Sequence, residues 1–350
     1  MKLHSRLIRQ TSRAAENWRV MVRSNKDAVE TYRTMTDVDP ARAITPTMRR
    51  DIRDYAKDEL GSIKHAPWLE VIAGWRGEFV RGCLPETYAL EYVVPYSLQP
   101  HGKILDKTIA AKVLATDRLP DIGYIIKGTL FDRDFNPVDP DAFAKSTFAN
   151  HPYIYLKKSL SYQGLAVSRV TSETFASEFA NCTNASLQYP LDMHEDLEAL
   201  SPSAAATLRV ITISHKGNIR AVAAHLRVGK LNDTHILSAS NIVIAVDLNT
   251  GKLFEIGKDS GWRPKTSHPD TGVIFAGLVY PQFHDSLEMV KQHHARLPHI
   301  GFIGWDMAVT KSDGPMLFEA NAGYPSTMWP EANHGPIFAG LGWDKLHLKS

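Results

Sequence analysis

The sequence predicts an α+β (mixed α/β) fold, and three features of the chain support this prediction. Up to about residue 100 the apolar residues recur mostly at helical spacing, with turn signals at Asp39-Pro40 and Thr45-Pro46. After Lys103 short β-like runs are separated by turns, and helical stretches lie between those runs. Strands that alternate with helices and then form hairpins argue against a sandwich. The predicted domain boundary therefore lies near residue 103.

The individual elements follow from the period of the apolar residues. Strands are predicted at Ile122–Ile126, Tyr153–Leu156, Leu208–Ile213, Ala221–Val228, Ile242–Asp247, Lys252–Ile256, Val273–Leu278, Phe302–Val309 and Met316–Glu319. Helices between them are predicted at Lys107–Leu114, Ser172–Phe179 and Ser286–His294.

The composition is that of an ordinary folded protein. Of the 350 residues 43% are apolar and 22% charged, and this length predicts two domains or one large domain built of subdomains. The net charge of +2 argues against nucleic acid as the main partner. Cys83 and Cys182 lie far apart, so neither a disulfide framework nor a structural zinc site is indicated. Since no stretch reaches the roughly 18 uncharged apolar residues of a membrane span, we expect a soluble, cytoplasmic protein.

The first 26 residues are strongly basic, because Glu16 is their only acid. Apolar residues recur there at helical spacing, which predicts a basic amphipathic helix. Its basic residues are Lys2, Arg6, Arg9, Arg13, Arg19, Arg23 and Lys26. We expect a solvated helix packed by one face; contact with anionic lipid or with a glycosyltransferase, or a transit peptide, which such a helix resembles, are the alternatives.

The strongest chemical signal is a predicted β-hairpin near the C-terminus. Its apolar runs flank a polar segment that ends in Asp313-Gly314. Because side chains alternate along a strand, Glu319 and Asn321 point to one face. The loop length then places Asp306: a two-residue loop sets it opposite Asn321, and a four-residue loop sets it opposite Glu319. Both registers bring the three side chains to one face, whereas a three-residue loop does not.

Two carboxylates and an amide oxygen are hard ligands. They suit Mg²⁺ that keeps some water and shares phosphate oxygens, which favours a nucleotide–metal site over a structural calcium site. The alternative is a hairpin with a polar outer face.

Asp306, followed after thirteen positions by Glu319-x-Asn321, resembles the metal-binding hairpin of the ATP-grasp superfamily. A second segment, Tyr153–Val167, resembles that family's strand ending in a lysine, its small-residue loop and the next strand. A lysine at a strand end supplies a point charge to phosphate, and loop N–H groups can cover it. The resemblance assigns ATP contacts to Lys157, Ser159, Ser161 and Gly164. The loop departs from the family pattern, since Gly164 is its one glycine.

More specifically, residues 104–321 resemble the sugar-transfer-associated ATP-grasp family. Leu200–Thr212 matches that family's serine before a Thr-x-Arg strand. Alternation places Thr207 and Arg209 on one face, where a hydroxyl and a guanidinium meet one anion, and Arg227 on the next strand completes the anion site. For either arginine a surface ion pair is the alternative.

Further site residues follow from the position of each in this resemblance. Gln188 lies in the predicted hinge between subdomains and suits an adenine edge, because its amide both donates and accepts. The remaining assignments are Lys107 to the cofactor, His194 and Glu195 to ribose, Asn241 and His268 to loops facing the substrate, and Trp305 to a wall of the nucleotide site.

The resemblance implies an ATP-grasp fold in which two α+β subdomains grip ATP. A mainly helical region, residues 1–103, precedes the ATP-grasp domain at residues 104–350. Within that domain we expect a lysine and loop subdomain at about 104–186 and a metal-hairpin subdomain at about 187–335.

The implied activity is an ATP-dependent ligase that activates a carboxylate as an acyl phosphate and joins it to an amine or thiol. ATP and Mg²⁺, with Mn²⁺ as an alternative, are the expected cofactors, and Arg209, Arg227 and Lys157 the expected catalytic residues. The expected partners are small-molecule carboxylates and amines, sugar-linked in polysaccharide or sugar-conjugate biosynthesis. A kinase acting on a hydroxyl and a non-catalytic nucleotide-binding assembly protein are the alternatives.

Overall fold

The computed structural model describes residues 2–159, 167–202, 206–231, 233 and 240–349, with side chains from residue 19 onward. The α-helices are α1 Lys2–Val38, α2 Pro46–Asp54, α3 Ala66–Arg76, α4 Glu86–Tyr88, α5 Val94–Tyr96, α6 Ala110–Val113, α7 Pro140–Asn150, α8 Phe175–Ala180, α9 Glu195–Leu200, α10 Phe283–Ala295 and α11 Met328–His334. Short 3₁₀ or π turns lie at Pro40–Arg42, Tyr55–Glu59, Ile63–His65, Ala89–Val93, Gln99–Leu105 and Trp343–Leu348.

The strands form two sheets. They are β1 Asp121–Ile126, β2 Thr129–Asp132, β3 Ile154–Lys158, β4 Val167–Val170, β5 Asn184–Gln188, β6 Thr207–His215, β7 Asn218–Val228, β8 Ile242–Ala245, β9 Gly257–Lys258, β10 Pro264–Lys265, β11 Phe302–Thr310 and β12 Gly314–Asn321. Sheet A has the order β2-β1-β5-β3-β4, and sheet B has the order β10-β9-β8-β7-β6-β11-β12.

The chain divides into two compact units. Unit 1 contains Met1–Gln99, Gly261–Pro264 and Tyr324–Ser350, and unit 2 contains Pro100–Ser260 and Lys265–Gly323. Both sheets therefore belong to unit 2, except for Pro264 of β10. The C-terminal segment, which the sequence analysis assigned to the second domain, groups with the helices of unit 1. The domain boundaries predicted from the sequence stay predictions.

Sheet A has one apolar and one polar face. Leu156 and Leu187 lie on the apolar face and pack in one core with Phe143 of α7 and Phe175 of α8. The polar side chains of β3 and β5 point the other way, because side chains alternate along each strand. Sheet A thus presents a row of polar groups away from its helices.

Sheet B is built in the same way. Trp305 and Leu226 lie on its apolar face and share a core with Phe283 and Leu287 of α10. Arg209, Arg227 and Asp306 alternate with these core residues, which places them on the opposite face. The mixed architecture agrees with the predicted α+β class.

The β6–β7 hairpin fixes which residues share that face. Its two-residue turn, Lys216-Gly217, has positive φ angles of 50° and 80°, the combination that a type I′ turn requires. The pairing then shifts by one residue between Ile211 and Thr212. Because a one-residue shift exchanges the faces of a strand, this bulge brings Arg227 to the same side as Arg209.

Two predicted strands do not form as such. Both Lys252–Ile256 and Val273–Leu278 make isolated bridges, which are Lys252 with Val279, Leu253 with Val246 and Ile274 with Ser267. Their apolar residues predicted strands, but extended chains joined by isolated bridges satisfy the same pattern. The sequence analysis also missed β2 and β5, which are short and lie close to polar turns.

The core of unit 1 is aromatic. The rings of Trp75, Trp262 and Trp329 meet in pairs, with centroids 4.7–5.9 Å apart.

Within the described part of the chain, no helix combines the length and the apolar character that a membrane span needs.

Glu331 is fully buried in unit 1 and predicts a pH dependence of stability. Burial raises its pKa to about 8 from an ordinary value of 4.5, although the Cys83 thiol and the N–H groups of Leu84 and Ile337 oppose the rise. Between about pH 4.5 and pH 8 the folded chain therefore keeps a proton that the unfolded chain releases. We expect this group to cost about 1.4 kcal/mol of stability for each pH unit across that window.

The test compares urea unfolding of the wild type and Glu331→Gln at pH 5 and pH 8. The stability of Glu331→Gln relative to wild type should rise with pH. Glu78→Gln, at an exposed glutamate of the same unit, is the control and should follow the wild type. If the Glu331→Gln and wild-type curves run parallel, Glu331 does not hold the proton.

Candidate functional site

The β11–β12 hairpin brings three oxygen-bearing side chains to one face. Thr310 pairs with Gly314, so the loop has three residues, and Gly314 takes the left-handed conformation with φ 69°. The pairing shifts between Asp306 and Met307, because Phe318 is an extra residue in β12. Asp306 consequently lies opposite Glu319.

This arrangement corrects one statement of the sequence analysis. The sequence analysis expected that a three-residue loop would not bring Asp306 to the face of Glu319 and Asn321. This expectation is wrong, because the bulge at Phe318 reverses the faces a second time. Gly304 pairs with Asn321, so Asn321 lies diagonally from Asp306 on the same face.

Asp306 is the centre of a buried ion-pair cluster. Arg209 donates two hydrogen bonds to it, from Nε to Oδ1 at 2.5 Å and from Nη2 to Oδ2 at 2.6 Å. Arg227 donates from Nη2 to Oδ1, and Asn321 donates from Nδ2 to Oδ2 at 3.0 Å. Three strands besides β11 therefore direct a donor at this one carboxylate.

The arginines keep Asp306 ionised although it is buried. Burial acts to raise its pKa, but the charges and hydrogen bonds of Arg209 and Arg227 outweigh burial and hold the pKa well below its usual range. Burial likewise opposes the charge of Arg209, and Asp306 outweighs it, so the pKa of Arg209 is raised. The alternative of a surface ion pair does not describe these arginines, whose side chains are 12% and 18% exposed.

Lys107 reaches the same hairpin from the turn before α6. Its Nζ lies 3.2 Å from Oε1 of Glu319. The neighbouring Asp106 accepts a hydrogen bond from Ser159 Oγ at 2.5 Å and others from Thr108. The structure therefore places Lys107 and Ser159 in one neighbourhood with Glu319.

Lys157 extends from sheet A toward the hairpin. It pairs with Ser186 in β5, on the polar face, and its Nζ lies 5.1 Å from the ring centroid of Phe318. Burial lowers its pKa, while the charges of Glu319 and Asp121 partly offset that effect. The lysine chosen from the strand end thus lies between the two sheets.

Gln188 belongs to a buried polar network at the start of β1. Its Nε2 donates to Asp121 Oδ1 at 2.7 Å, and Tyr124 donates to the other oxygen of Asp121 at 3.0 Å. The side-chain amide that was assigned to adenine therefore donates within sheet A. A role for Gln188 at adenine stays a prediction.

Other predicted residues lie away from this cluster. Glu195 is exposed at the start of α9, where Lys311 is its electrostatic neighbour, and His194 caps that helix by accepting from Asp196 N–H. The predicted contacts of Ser161 and Gly164 lie outside the described residues.

One further expectation about this site stays a prediction, and another is wrong. The ring of His268 bonds within the protein, with Nε2 donating to the Gly229 carbonyl and Nδ1 accepting from the N–H groups of Asp270 and Thr271. These bonds hold its own turn, and a position of His268 toward a substrate stays a prediction. Trp305 does not wall the site, because it lies on the core face and donates to Thr212 Oγ1 at 2.7 Å.

The sequence analysis missed two residues of the cluster. His225 lies directly opposite Arg209 on the same face of sheet B. The sequence could have indicated this, because His225 is two positions from Arg227 along β7 and therefore shares its face. Asp106 immediately precedes Lys107 and accepts a hydrogen bond from Ser159. Neither carries a motif of its own.

The donor set fits a divalent metal that is shared with an anion. Asp306, Glu319 and Asn321 supply oxygen ligands of the kind that Mg²⁺ and Mn²⁺ prefer. Within the described residues no group of three or more His, Cys, Asp or Glu side chains is placed to hold a metal ion. The two hairpin carboxylates face four cations, Lys107, Lys157, Arg209 and Arg227. This excess of positive charge suits a polyanion such as a phosphate chain.

The comparisons with known proteins point to one family. A model of the family described as sugar-transfer associated ATP-grasp matches residues 156–338. No curated protein matches the chain. Among solved structures, the biotin carboxylase domain of the 2-oxoglutarate carboxylase of Hydrogenobacter thermophilus, in complex with Mg-ADP, ADP and bicarbonate, is 10% identical over 70% of this chain and 45% of that chain, with a TM-score of 0.43.

Two synthetases are also similar to this chain. D-cycloserine synthetase is 12% identical over 70% of this chain and 71% of its own, with a TM-score of 0.42. The N5-carboxyaminoimidazole ribonucleotide synthetase of Thermotoga maritima is 15% identical over 65% and 43%, with a TM-score of 0.36. The chain spans less than half of this second synthetase and of the carboxylase domain structure.

The ion-pair cluster predicts unequal costs for two substitutions. Asp306→Asn leaves two buried guanidinium groups without their counter-charge, so we expect a loss of about 3–5 kcal/mol. Glu319→Gln removes a carboxylate whose side chain is 35% exposed, and should cost less than about 1 kcal/mol. Urea unfolding in EDTA measures both without bound metal. Equal losses would mean that Asp306 is not the electrostatic centre of the site.

Proposed function

Because the chain belongs to the sugar-transfer associated ATP-grasp family, we propose that it is an ATP-dependent ligase that activates a carboxylate as an acyl phosphate and joins it to an amine or thiol. The observation that carries this proposal is the cluster of two carboxylates, one amide and four cations between sheets A and B. Such a set matches a metal and a phosphate chain together.

In this proposal Asp306, Glu319 and Asn321 would hold Mg²⁺ or Mn²⁺, which when bound would neutralise phosphate charge. Lys107 and Lys157 bind the phosphates nearer the nucleoside. Arg209 and Arg227 bind the γ-phosphoryl group and offset its charge during transfer. The protein needs no nucleophilic side chain, because alignment and electrostatic stabilisation carry phosphoryl transfer.

The nucleoside end is assigned by position in the chain. Gln188 ends β5, and residues 189–194 lead from sheet A to sheet B, where the N–H of His194 bonds to the Val309 carbonyl. We propose that adenine lies at this connection and that Glu195 contacts ribose. Ser159, Ser161 and Gly164 would cover the phosphates.

The substrates and setting are part of the proposal. We propose that the carboxylate and the amine are linked to sugars and that the reaction belongs to polysaccharide or related sugar-conjugate biosynthesis in the cytoplasm. The description of the family as sugar-transfer associated supports the link to sugars. The basic N-terminus would provide peripheral contact with a membrane or a glycosyltransferase, and nucleic acid is not a partner.

A thermal-shift experiment tests nucleotide binding. Mg-ATP at a hundredfold excess over its dissociation constant should stabilise the wild type by about 2.7 kcal/mol. Glu319→Ala should lose this stabilisation. Glu198→Ala is the matched control, because Glu198 is exposed and pairs with Lys311 beyond the hairpin tip. No shift in a folded wild type would contradict the proposal and favour a degenerate ATP-grasp scaffold that does not bind the nucleotide.

Product analysis then separates the reactions. With carboxylates and amines supplied together, a ligase releases ADP and phosphate with an amide, whereas a kinase leaves the phosphate on its product. ATP turnover with phosphate retained on a hydroxyl would contradict the ligase assignment.

Lys157 and Lys158 provide a second test. They are neighbours in β3, but Lys157 points to the polar face and Lys158 to the other. Lys157→Met should weaken ATP binding about tenfold or more, the loss of one charge-assisted contact, and Lys158→Met should leave it unchanged. Isothermal titration measures both affinities. Equal effects of the two changes would rule out a specific role for Lys157.

A further inference from the structure

Lys258 is a buried lysine on the same face of sheet B as the two arginines. It lies in β9, directly opposite Val243, and Val243 lies directly opposite Arg227. Directly opposed residues of antiparallel strands share a face, so the Lys258 side chain extends to the side of Arg227. Its exposed fraction is 8%.

The distance between the two strands suits one small anion. Arg227 and Lys258 are separated by two strand spacings, or about 10 Å between backbones. Two hydrogen bonds of about 2.9 Å to the two oxygens of one carboxylate span roughly 6–8 Å between donors. A small inward lean of these long side chains closes the difference. Val243, which is also buried, forms the floor between them.

Two observations indicate that this place receives a ligand. Burial lowers the pKa of Lys258 to about 8, with the neighbouring Asp259 opposing the shift, so a cation is held there at a cost. Lys258 Nζ contacts the Asp259 carbonyl at 3.4 Å. In addition, the buried Nε of Arg227 has no hydrogen-bond acceptor among the described residues. A buried donor of this kind indicates an acceptor that arrives with a ligand.

The order of the strands indicates which ligand this is. Lys157 of sheet A reaches sheet B at β12, where it meets Phe318, and Lys107 of the turn before α6 meets Glu319 on the same strand. In the proposed function the nucleotide therefore lies over β12 and β11, and the γ-phosphoryl group reaches the arginines of β6 and β7. The next strands in the sheet, β8 and β9, lie beyond the transferred group.

We propose that Arg227 and Lys258 together bind the carboxylate of the acid substrate beyond the γ-phosphoryl group. This inference rests on the proposed ligase function and assigns the acid to the β7–β9 side of sheet B. Lys258 is then a binding residue for the substrate, and it is not part of the nucleotide site.

Pyridoxal 5′-phosphate is a suitable probe, because it carries an anion for Arg227 and an aldehyde for a lysine. Its aldehyde condenses with the lysine amine to an imine with loss of water, and borohydride reduces the imine to a stable amine. Tryptic mapping then identifies the modified lysines, since cleavage after a modified Lys258 is blocked. The protein is labelled while saturated with Mg-ADP, which protects Lys107 and Lys157 in the proposed function.

We expect labelling of Lys258 in the wild type and about tenfold less in Arg227→Met, because the anion of the probe loses its partner. Arg227→Lys should restore part of the labelling. Arg220→Met is the matched control, since Arg220 lies on the same strand and is exposed, and the exposed Lys252 reports on general reactivity.

The proposal is overturned if Lys258 is unlabelled, or if Arg227→Met labels it as well as the wild type does. Failure of the proposed function gives a different result, because Mg-ADP would then leave Lys107 and Lys157 unprotected whatever happens at Lys258.

Discussion

The site depends on one carboxylate, Asp306, which three neighbouring strands surround with donors. Arg209 of β6, Arg227 of β7 and Asn321 of β12 all bond to it. A buried charge is tolerated only when its partners are placed well, and two arginines sharing one aspartate must both reach it. The relative register of four strands is therefore constrained by a single side chain at the centre of sheet B.

Two bulges satisfy this constraint. In the β6–β7 hairpin the shift at Ile211/Thr212 brings Arg227 to the face of Arg209, and in the β11–β12 hairpin the extra Phe318 brings Glu319 to the face of Asp306. Each hairpin begins from a tight turn that would set the opposite face. Each bulge loses one hydrogen bond between the paired strands. In return, the charged residues lie on a common face of sheet B. Phe318 also gives Lys157 of sheet A an aromatic contact at the hairpin.

The parts of the site that were predictable from the sequence are local. Alternation along one strand puts Glu319 and Asn321 on one face, and likewise Thr207 and Arg209. The predicted strand Tyr153–Leu156 also placed Lys157 at a strand end. The bulges were not predictable, because whether an extra residue is inserted depends on what the partner strand must present. For the same reason the sequence analysis did not expect a three-residue loop to bring the three side chains to one face.

Non-local packing explains the other differences between expectation and structure. Trp305 was expected at the nucleotide because it adjoins Asp306, but adjacent residues of a strand face opposite sides. The adenine role of Gln188 stays a prediction, and the hydrogen bond that its amide donates to Asp121, sixty-seven residues earlier, is one that no local pattern indicates. Residues 324–350 join the helices of unit 1 through aromatic contacts such as Trp75 with Trp329, which no local pattern indicates.

The charge balance of the cluster explains how one set of residues serves both a metal and a phosphate chain under the proposed function. Asp306 pairs with both arginines and Glu319 pairs with Lys107, so each hairpin carboxylate already has a cation. A metal ion alone would compete with those cations, and an anion alone would compete with those carboxylates. A ligand that brings both at once gives the arginines and lysines a phosphate and gives the carboxylates a metal, so every buried charge keeps a partner of opposite sign. The arrangement therefore favours the metal–nucleotide complex over either component.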